Sequence, residues 1–490
     1  MARNRGEPTI ILGPILYFRG EQGDRWWLSA LFVLEGEAEP DDLRVDGVTL
    51  PVPPRHLLLW RRRHVWRFDF AVPRGTRDAD VAYGFPDGPS WTVTVPGRRA
   101  LPRLAYVSCN GVEDESRLAR LPAPRNALWM DLLARHESEP FHLLLQGGDQ
   151  LYADGLWRDC PLLAAWKRRT DRGRFGQTFT PAMAEEAMAF YFDLYLRVWG
   201  QPEVAAVLAR LPSVMMWDDH DIFDGWGSHS EEEMHSQVWR GAFMAARRHF
   251  SLFQIGALAE ALPECVWGAP RATFTQGFRL GEVGLLALDM RSERTPRRVL
   301  SERSWSLLPD WLERFNGCRH LVLMSSVPLL FPDTSGLERA VERLPGRIGI
   351  EDDLRDQWRS HAHADEWRRL IELLAAFSRR TGCRITAVSG EIHAGGRGLL
   401  RGGGVEMWQL IASGIVHPPP HPLTAAGLEW LARRKETPFD GYSFEMPPFP
   451  ESGQRIIRQR NWLSLVFDGK GQLHARWTAE GTPARYAQAI

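Results

Sequence analysis

The chain has 490 residues, 44% apolar and 25% charged, the balance of an ordinary soluble globular protein with a core of useful size. Its 60 basic residues nearly cancel 61 acidic ones, so no global field draws it to nucleic acid or an anionic membrane, and any anion site must be made locally. Length suggests roughly two to four domains, no run of about 18 apolar residues offers a transmembrane span, and five scattered cysteines without a CxxC pair suit a reducing compartment, so a cytoplasmic protein is expected.

In chain order, the first hundred residues read as β. Thr9 to Phe18 is broken by Gly13-Pro14 and runs into charge, which fits a first strand better than a signal peptide. Val65 to Phe70 and Trp91 to Val95 alternate apolar with polar, the period-2 pattern of half-buried strands, and Trp26 to Leu34 and Leu57 to Arg61 are further candidates. Short strands without helices suggest a small sandwich over residues 1–98, closed by a linker at Pro96 to Arg99. From residue 103 to 490 the pattern is α/β. Strand-length apolar runs are Leu104–Cys109, Phe141–Leu145, Val214–Trp217, Val283–Met290, His320–Val327, Arg384–Ser389 and Glu406–Ala412. Helices are expected at Asn126–Arg135, Met234–Leu262 and Ala364–Arg379, with a capped start at Thr180-Pro181. Trp462–Phe467 and Leu473–Trp477 close the chain as a hairpin around Asp468 to Gly471.

Unusual polar residues gather where these strands end. The six endings are Ser108-Cys109-Asn110, Gly148-Asp149-Gln150-Leu151-Tyr152, Trp217-Asp218-Asp219-His220-Asp221, Asp289-Met290-Arg291, Ser325-Ser326 and Ser389-Gly390-Glu391-Ile392-His393. In α/β sheets ligands bind at the carboxyl ends of strands. Several acids converging there repel one another unless a cation is present, and a divalent or trivalent metal is the natural counter-charge.

These residues carry a family resemblance. Gly148-Asp149-x-x-Tyr152 is similar to the GDxxY motif of purple acid phosphatases, and the wider set resembles the alkaline phosphatase D (PhoD-like) branch of the calcineurin-like metallophosphoesterases. The resemblance implies a four-layer α/β/β/α sandwich preceded by the small all-β domain. It implies Asp149 bridging two metals, with Tyr152, Cys109 and His393 completing a ferric site and Asp219 and Glu391 holding the second metal. His220 would face the scissile phosphate. Asn110 stands where the family usually has Gln, and Glu391 where this branch usually has Asp, one methylene shorter. Phenolate and thiolate suit Fe3+, and the all-carboxylate second set suits Ca2+, Mn2+ or Mg2+. The expected activity is hydrolysis of phosphate mono- or diesters; a nuclease and a non-catalytic binding module are the alternatives.

Other readings stay open. Arg291 is either a partner for Asp289 or a catalytic phosphate clamp. Asn110 and His229 are candidates for substrate binding, while His229, His235 and His417 line the pocket mouth or merely the surface. Cys160, Cys265, Cys318 and Cys383 are expected in the core. His361 and His363, near Asp352, Asp353 and Asp365, read as a solvated helix start and not as a metal cluster.

Overall fold

The computed structural model describes residues 9–36, 39–268, 272–333, 358–360, 362–482 and 486–490. Eight strands come first: β1 (Thr9–Gln22), β2 (Arg25–Glu35), β3 (Arg44–Val45), β4 (Val48–Thr49), β5 (Arg55–Trp60), β6 (Arg63–Pro73), β7 (Ala79–Gly84) and β8 (Ser90–Val95). The α/β part supplies β9 (Arg103–Val107), β10 (Leu143–Gly147), β11 (Ser213–Met216), β12 (Gln276–Leu280), β13 (Val283–Ala287), β14 (His320–Met324), β15 (Arg384–Ser389), β16 (Gly395–Gly402) and β17 (Val405–Ile411). Six more follow: β18 (Lys435–Glu436), β19 (Tyr442–Glu445), β20 (Ile456–Ile457), β21 (Asn461–Phe467), β22 (Leu473–Ala479) and β23 (Tyr486–Ala489). The helices that matter here are α1 (Ala127–Ser138), α2 (Pro181–Trp199), α3 (Asp219–Ile222), α4 (Gln237–His249), α5 (Glu302–Glu313) and α6 (Ala364–Thr381).

Two large sheets face each other. One runs β23-β22-β21-β9-β10-β11-β1-β2-β6-β5, the other β12-β13-β14-β15-β17-β16-β19-β18, with β20 on β16. The central strands β9 to β11, and β13 to β15 with β17, pair in parallel. Being covered on both faces, they must be apolar almost throughout, which is why they read as continuous runs. The period of two then divides each strand between two cores. Leu104 and Tyr106 of β9 face inward with Leu143, Leu145, Val214 and Met216, against Val283, Leu285, Val322, Met324 and Val388 of the second sheet. Ala105 and Val107 face outward onto the layer holding α1, α2 and α4. Leu286, Leu321, Leu323 and Ile385 face outward onto α5 and α6. The result is the α/β/β/α sandwich.

The β region ahead of it packs two layers, with Phe32 between Phe68, Phe85 and Trp91 at ring distances of 5.6, 5.1 and 5.7 Å. One layer is the small sheet β4-β3-β7-β8; the other, β1-β2-β6-β5, continues the first large sheet, because β1 pairs in parallel with β11 at Tyr17 and Ser213.

Two local expectations change. The single helix expected over Met234–Leu262 is interrupted: Ser236 caps α4 by accepting from the Trp239 N–H at 3.3 Å, and beyond His249 the chain widens into a π turn over Phe250–Gln254. Trp239 and Phe253 are both buried in the core under this segment. His363 is not solvated; it is 2% exposed at the start of α6, while His361, Asp352 and Asp353 of the same reading lie outside the described residues. All five cysteines are free and buried. Among the described residues no helix is long and apolar enough to cross a membrane.

Candidate metal centre

The carboxyl ends of β9, β10 and β15 bend sharply. Six non-glycine residues among those described have positive φ, and four of them are Cys109 (53°), Asp149 (55°), Glu391 (67°) and His393 (52°). Left-handed backbone costs a residue with a Cβ roughly 1–3 kcal/mol and persists only where its surroundings enforce it. Gly148 must be glycine: its φ is 107°, and a Cβ there would stand 2.7 Å from the Asp218 Cβ. A Cβ on Gly111 would reach within 2.5 Å of the Tyr152 ring. The loops are thus packed to contact.

Asp149 is 1% exposed. The Cys109 thiol lies 3.6 Å from its Oδ2 and 3.1 Å from the Ser413 hydroxyl, whereas Asp149 Oδ1 has no hydrogen-bond partner. Asp219 Oδ2 accepts from the Gly225 N–H at 2.7 Å, and its Oδ1 lies 3.3 Å from the Arg291 guanidinium. His220 Nδ1 is 3.0 Å from Asp154, whose other oxygen accepts from the Asp224 N–H at 3.0 Å. The His220 ring stacks on Tyr152 at 4.3 Å. Ligand atoms of Asp149, Asp219 and His220 all lie within 4.8 Å of one another, as do those of Glu113, His393 and His417 and those of Asp154, His220 and Asp224.

Burial pushes the Asp149 carboxyl well above the usual carboxylate range; His220 offsets part of this, and Asp218, Asp219 and Asp221 add to it. Burial and the Asp149 charge likewise push the Cys109 thiol up. At His220 burial favours the neutral ring, but Asp154, Asp219 and Asp149 outweigh it and hold the imidazolium well above its ordinary range. Buried lone pairs at Asp149 Oδ1, Tyr152 OH and His393 Nδ1 have no partner. Unpaired donor atoms beside mutually repelling acids are what a cation would satisfy, so the residues present fit a metal.

Cys109, Asp149, Tyr152, Asp219, His220 and His393 therefore gather at the strand ends. Arg291 is fully buried, and its guanidinium braces Asp218 and Asp219. Asp289 accepts from the Trp217 indole N–H at 2.9 Å, the Phe274 N–H at 2.7 Å and the Arg291 backbone N–H at 3.0 Å. Asn110, expected at the substrate, is 2% exposed; its Oδ1 accepts from the Trp129 indole at 2.8 Å and its amide N–H donates to the Gln150 carbonyl. It joins the β9 and β10 loops. The Glu391 carboxylate belongs to none of the three clusters found among the described residues; its backbone N–H faces the Cys109 sulfur. His229 pairs with the Asp224 carbonyl at 2.8 Å and lies edge-on to Trp239, on the loop beside the site. Glu113, Asp154 and Asp224 were not legible as site residues, although Asp154 lies only two positions beyond Tyr152.

Acids and imidazoles collected at the carboxyl edge of a double-sheet α/β/β/α sandwich define a metallophosphoesterase-type protein. Two solved structures share the fold: PhoD, with TM-score 0.57 and 11% identity over 100% of this chain and 93% of that one, and the purple acid phosphatase PPD1 of yellow lupin (Lupinus luteus) seeds, with TM-score 0.51 and 10% identity over 99% and 74%. The family profile described as PhoD related phosphatase matches residues 108–344 and 333–429, and the chain belongs to that family. It is also 27% identical over 428 residues to the uncharacterized protein YGR266W of Saccharomyces cerevisiae, spanning 74% of this chain and 60% of that protein.

Proposed function

We propose that the chain hydrolyses phosphate mono- or diesters at a two-metal centre whose carboxylate ligands are Asp149 and Asp219, with Tyr152 and Cys109 beside them. The observation that carries this reading is the buried Asp149–Asp219–His220 group, whose ligand atoms lie within 4.8 Å of one another while Asp149 Oδ1 has no partner. Phenolate and thiolate donors favour Fe3+, and the carboxylates favour Ca2+, Mn2+ or Mg2+. When bound, the metals supply Lewis acidity toward the phosphoryl group and the attacking water.

The chain's own residues supply position and a proton. Arg291 fixes Asp218 and Asp219, and Asp154 holds His220 by Nδ1, which leaves Nε2 as the nitrogen able to act on substrate. A bond forms from water to phosphorus, the ester P–O bond breaks, and His220 Nε2–H protonates the leaving oxygen. The near-neutral charge balance favours small esters over nucleic acid. Five unpaired, buried cysteines support a reducing compartment such as the cytoplasm.

The test is His220→Ala, assayed on p-nitrophenyl phosphate and its bis ester alongside elemental analysis. Metal content should persist while kcat falls by about two to four decades. Full activity in that variant, or absence of hydrolysis of either ester by the metal-replete native chain, overturns the proposal.

A further inference from the structure

We infer that the short helix α7 (Pro422–Leu431) docks on an anionic lipid surface, with Leu423 and Trp430 entering the headgroup layer and arginines at both ends of the helix meeting the lipid charge. Such docking is independent of the reaction proposed above. Helical spacing gives α7 two faces. Ala425 is buried, Leu428 packs against the core under α5 and α6, and Ala432 just beyond the helix joins that core. Leu423, Ala426, Gly427 and Trp430, at i, i+3, i+4 and i+7, share the other face, and all four are exposed. Leu423 is 77% exposed and Trp430 61%. A single exposed leucine needs no explanation, but a leucine and a tryptophan one above the other across two turns, with only alanine and glycine between them, make an apolar stripe.

The charges around the stripe say what covers it. Glu429, the acid of the helix, is turned away: its carboxylate accepts from the Arg455 and Ile456 N–H groups, both at 3.0 Å. The acids that follow are engaged as well, Glu436 by Arg359 and Glu445 by Arg401 and Lys435 at 2.9 and 3.0 Å. Arginines are left facing solvent. Arg458 stands at the start of the helix, where its Nε donates to the Pro420 carbonyl at 3.0 Å. At the other end Arg433 reaches Glu429 only at 4.0 Å, and Arg434 lies over the Trp430 ring at 4.2 Å and makes no ion pair among the described residues. An apolar stripe holding a tryptophan and bordered by arginines is the composition of helices that lie in the plane of a membrane interface. A lipid surface takes up a projecting leucine and tryptophan without a matching pocket, and its negative potential supplies the counter-charge the arginines lack. This charge is local, as the near-neutral balance of the whole chain requires. The helix begins five residues beyond His417, whose ring stacks on His393 at 3.4 Å, so the docked face borders the loop that carries His417.

The test is co-sedimentation of the full chain with vesicles of phosphatidylcholine alone and of phosphatidylcholine mixed with phosphatidylserine. The chain should pellet with the mixed vesicles, far less with the neutral ones, and less as salt is raised. Leu423→Gln with Trp430→Gln, and separately Arg433→Gln with Arg434→Gln, should each lower the partition coefficient at least about tenfold. Leu59→Gln, which removes a leucine 52% exposed on β5, should bind as the native chain does. All these side chains are exposed, so the variants fold, and unchanged circular dichroism checks this. Absence of binding to the mixed vesicles, native binding by either double variant, or an equal loss in Leu59→Gln overturns the inference. A native chain that is dimeric in solution, and monomeric once Leu423 and Trp430 are replaced, overturns it too, because the face then belongs to a second copy.

Discussion

Asp154 decides what His220 can do. It holds Nδ1 at 3.0 Å and is the leading attraction keeping the ring protonated against the opposing effect of burial. Asp154→Asn should retain metal yet lower kcat. It should also move the alkaline limb of the pH–rate profile to lower pH, because without the anion the imidazolium gives up its proton sooner; an unshifted limb would assign Asp154 a merely structural role. Tyr152 is tested by colour. A phenolate on Fe3+ gives a visible charge-transfer band, so the iron-replete protein should absorb in the visible, and Tyr152→Phe should bleach it with iron still bound. Reduction to Fe2+ should bleach the native protein too, and a colourless, iron-replete, active native protein would remove Tyr152 from the ligand set. Residues at strand ends were legible because an acid, a phenol or a thiol directly after a buried apolar run has few structural explanations. Glu113 and Asp154 were not, since an acid within a polar loop looks like any solvated acid until the fold brings an imidazole to it. The pairing of the Arg291 guanidinium was hidden for a similar reason: Asp218 and Asp219 are some seventy positions away, and only tertiary structure brings them to it.

At the level of elements, the centre depends on loops held in contact by two small residues. Gly148→Ala places a methyl 2.7 Å from the Asp218 Cβ on a backbone with φ of 107°, and Gly111→Ala drives one into the Tyr152 ring. Neither glycine lies inside a strand. Both variants should therefore keep native circular dichroism while losing most metal and activity; a variant that unfolds outright would show that the fold itself depends on these loops, and full metal content would show that the loops yield. The central strands were recognisable within a few residues of their ends because burial on both faces forces an uninterrupted apolar run. The helix expected over Met234–Leu262 was not correctly bounded: its apolar residues keep helical spacing across Ser236, and the break comes from a hydroxyl cap that competes locally with the continuing helix.

For the whole molecule, period-2 alternation identified the N-terminal strands but not their neighbours, since a strand's pattern says which face is buried and nothing about what lies beside it. The neighbour is the catalytic sheet. Tyr17 donates to the Phe253 carbonyl at 2.5 Å, Tyr83 to the Ala209 carbonyl at 2.6 Å and Arg67 to the Gly256 carbonyl at 2.9 Å, and one apolar core contains Phe32 and Phe68 together with Leu104 and Leu145. We propose residues 1–98 and 103–490 as the two units of the chain, joined as one cooperative body. A chain beginning at residue 103 would bare the edge of β11 and the apolar face that β1 covers, so it should aggregate on expression. A well-folded, active truncation would show the two units to be independent. Acid should unfold the intact chain in one transition. His136 and His249 sit in the helical layer of α1 and α4 and His320 in the second sheet, and burial pulls each pKa down to about 4. His136 Nδ1 accepts from the Phe141 N–H at 3.1 Å, which requires a neutral ring. In the unfolded chain each takes up a proton near the ordinary pKa of about 6.5. Their contribution is thus complete above that value and is lost as pH falls toward about 4, because there the unfolded state binds more protons. The urea midpoint should fall across this window, and His136→Gln, a neutral acceptor at the same place, should flatten part of the fall. A midpoint independent of pH between 6.5 and 4 would mean that these rings are protonated in the folded protein.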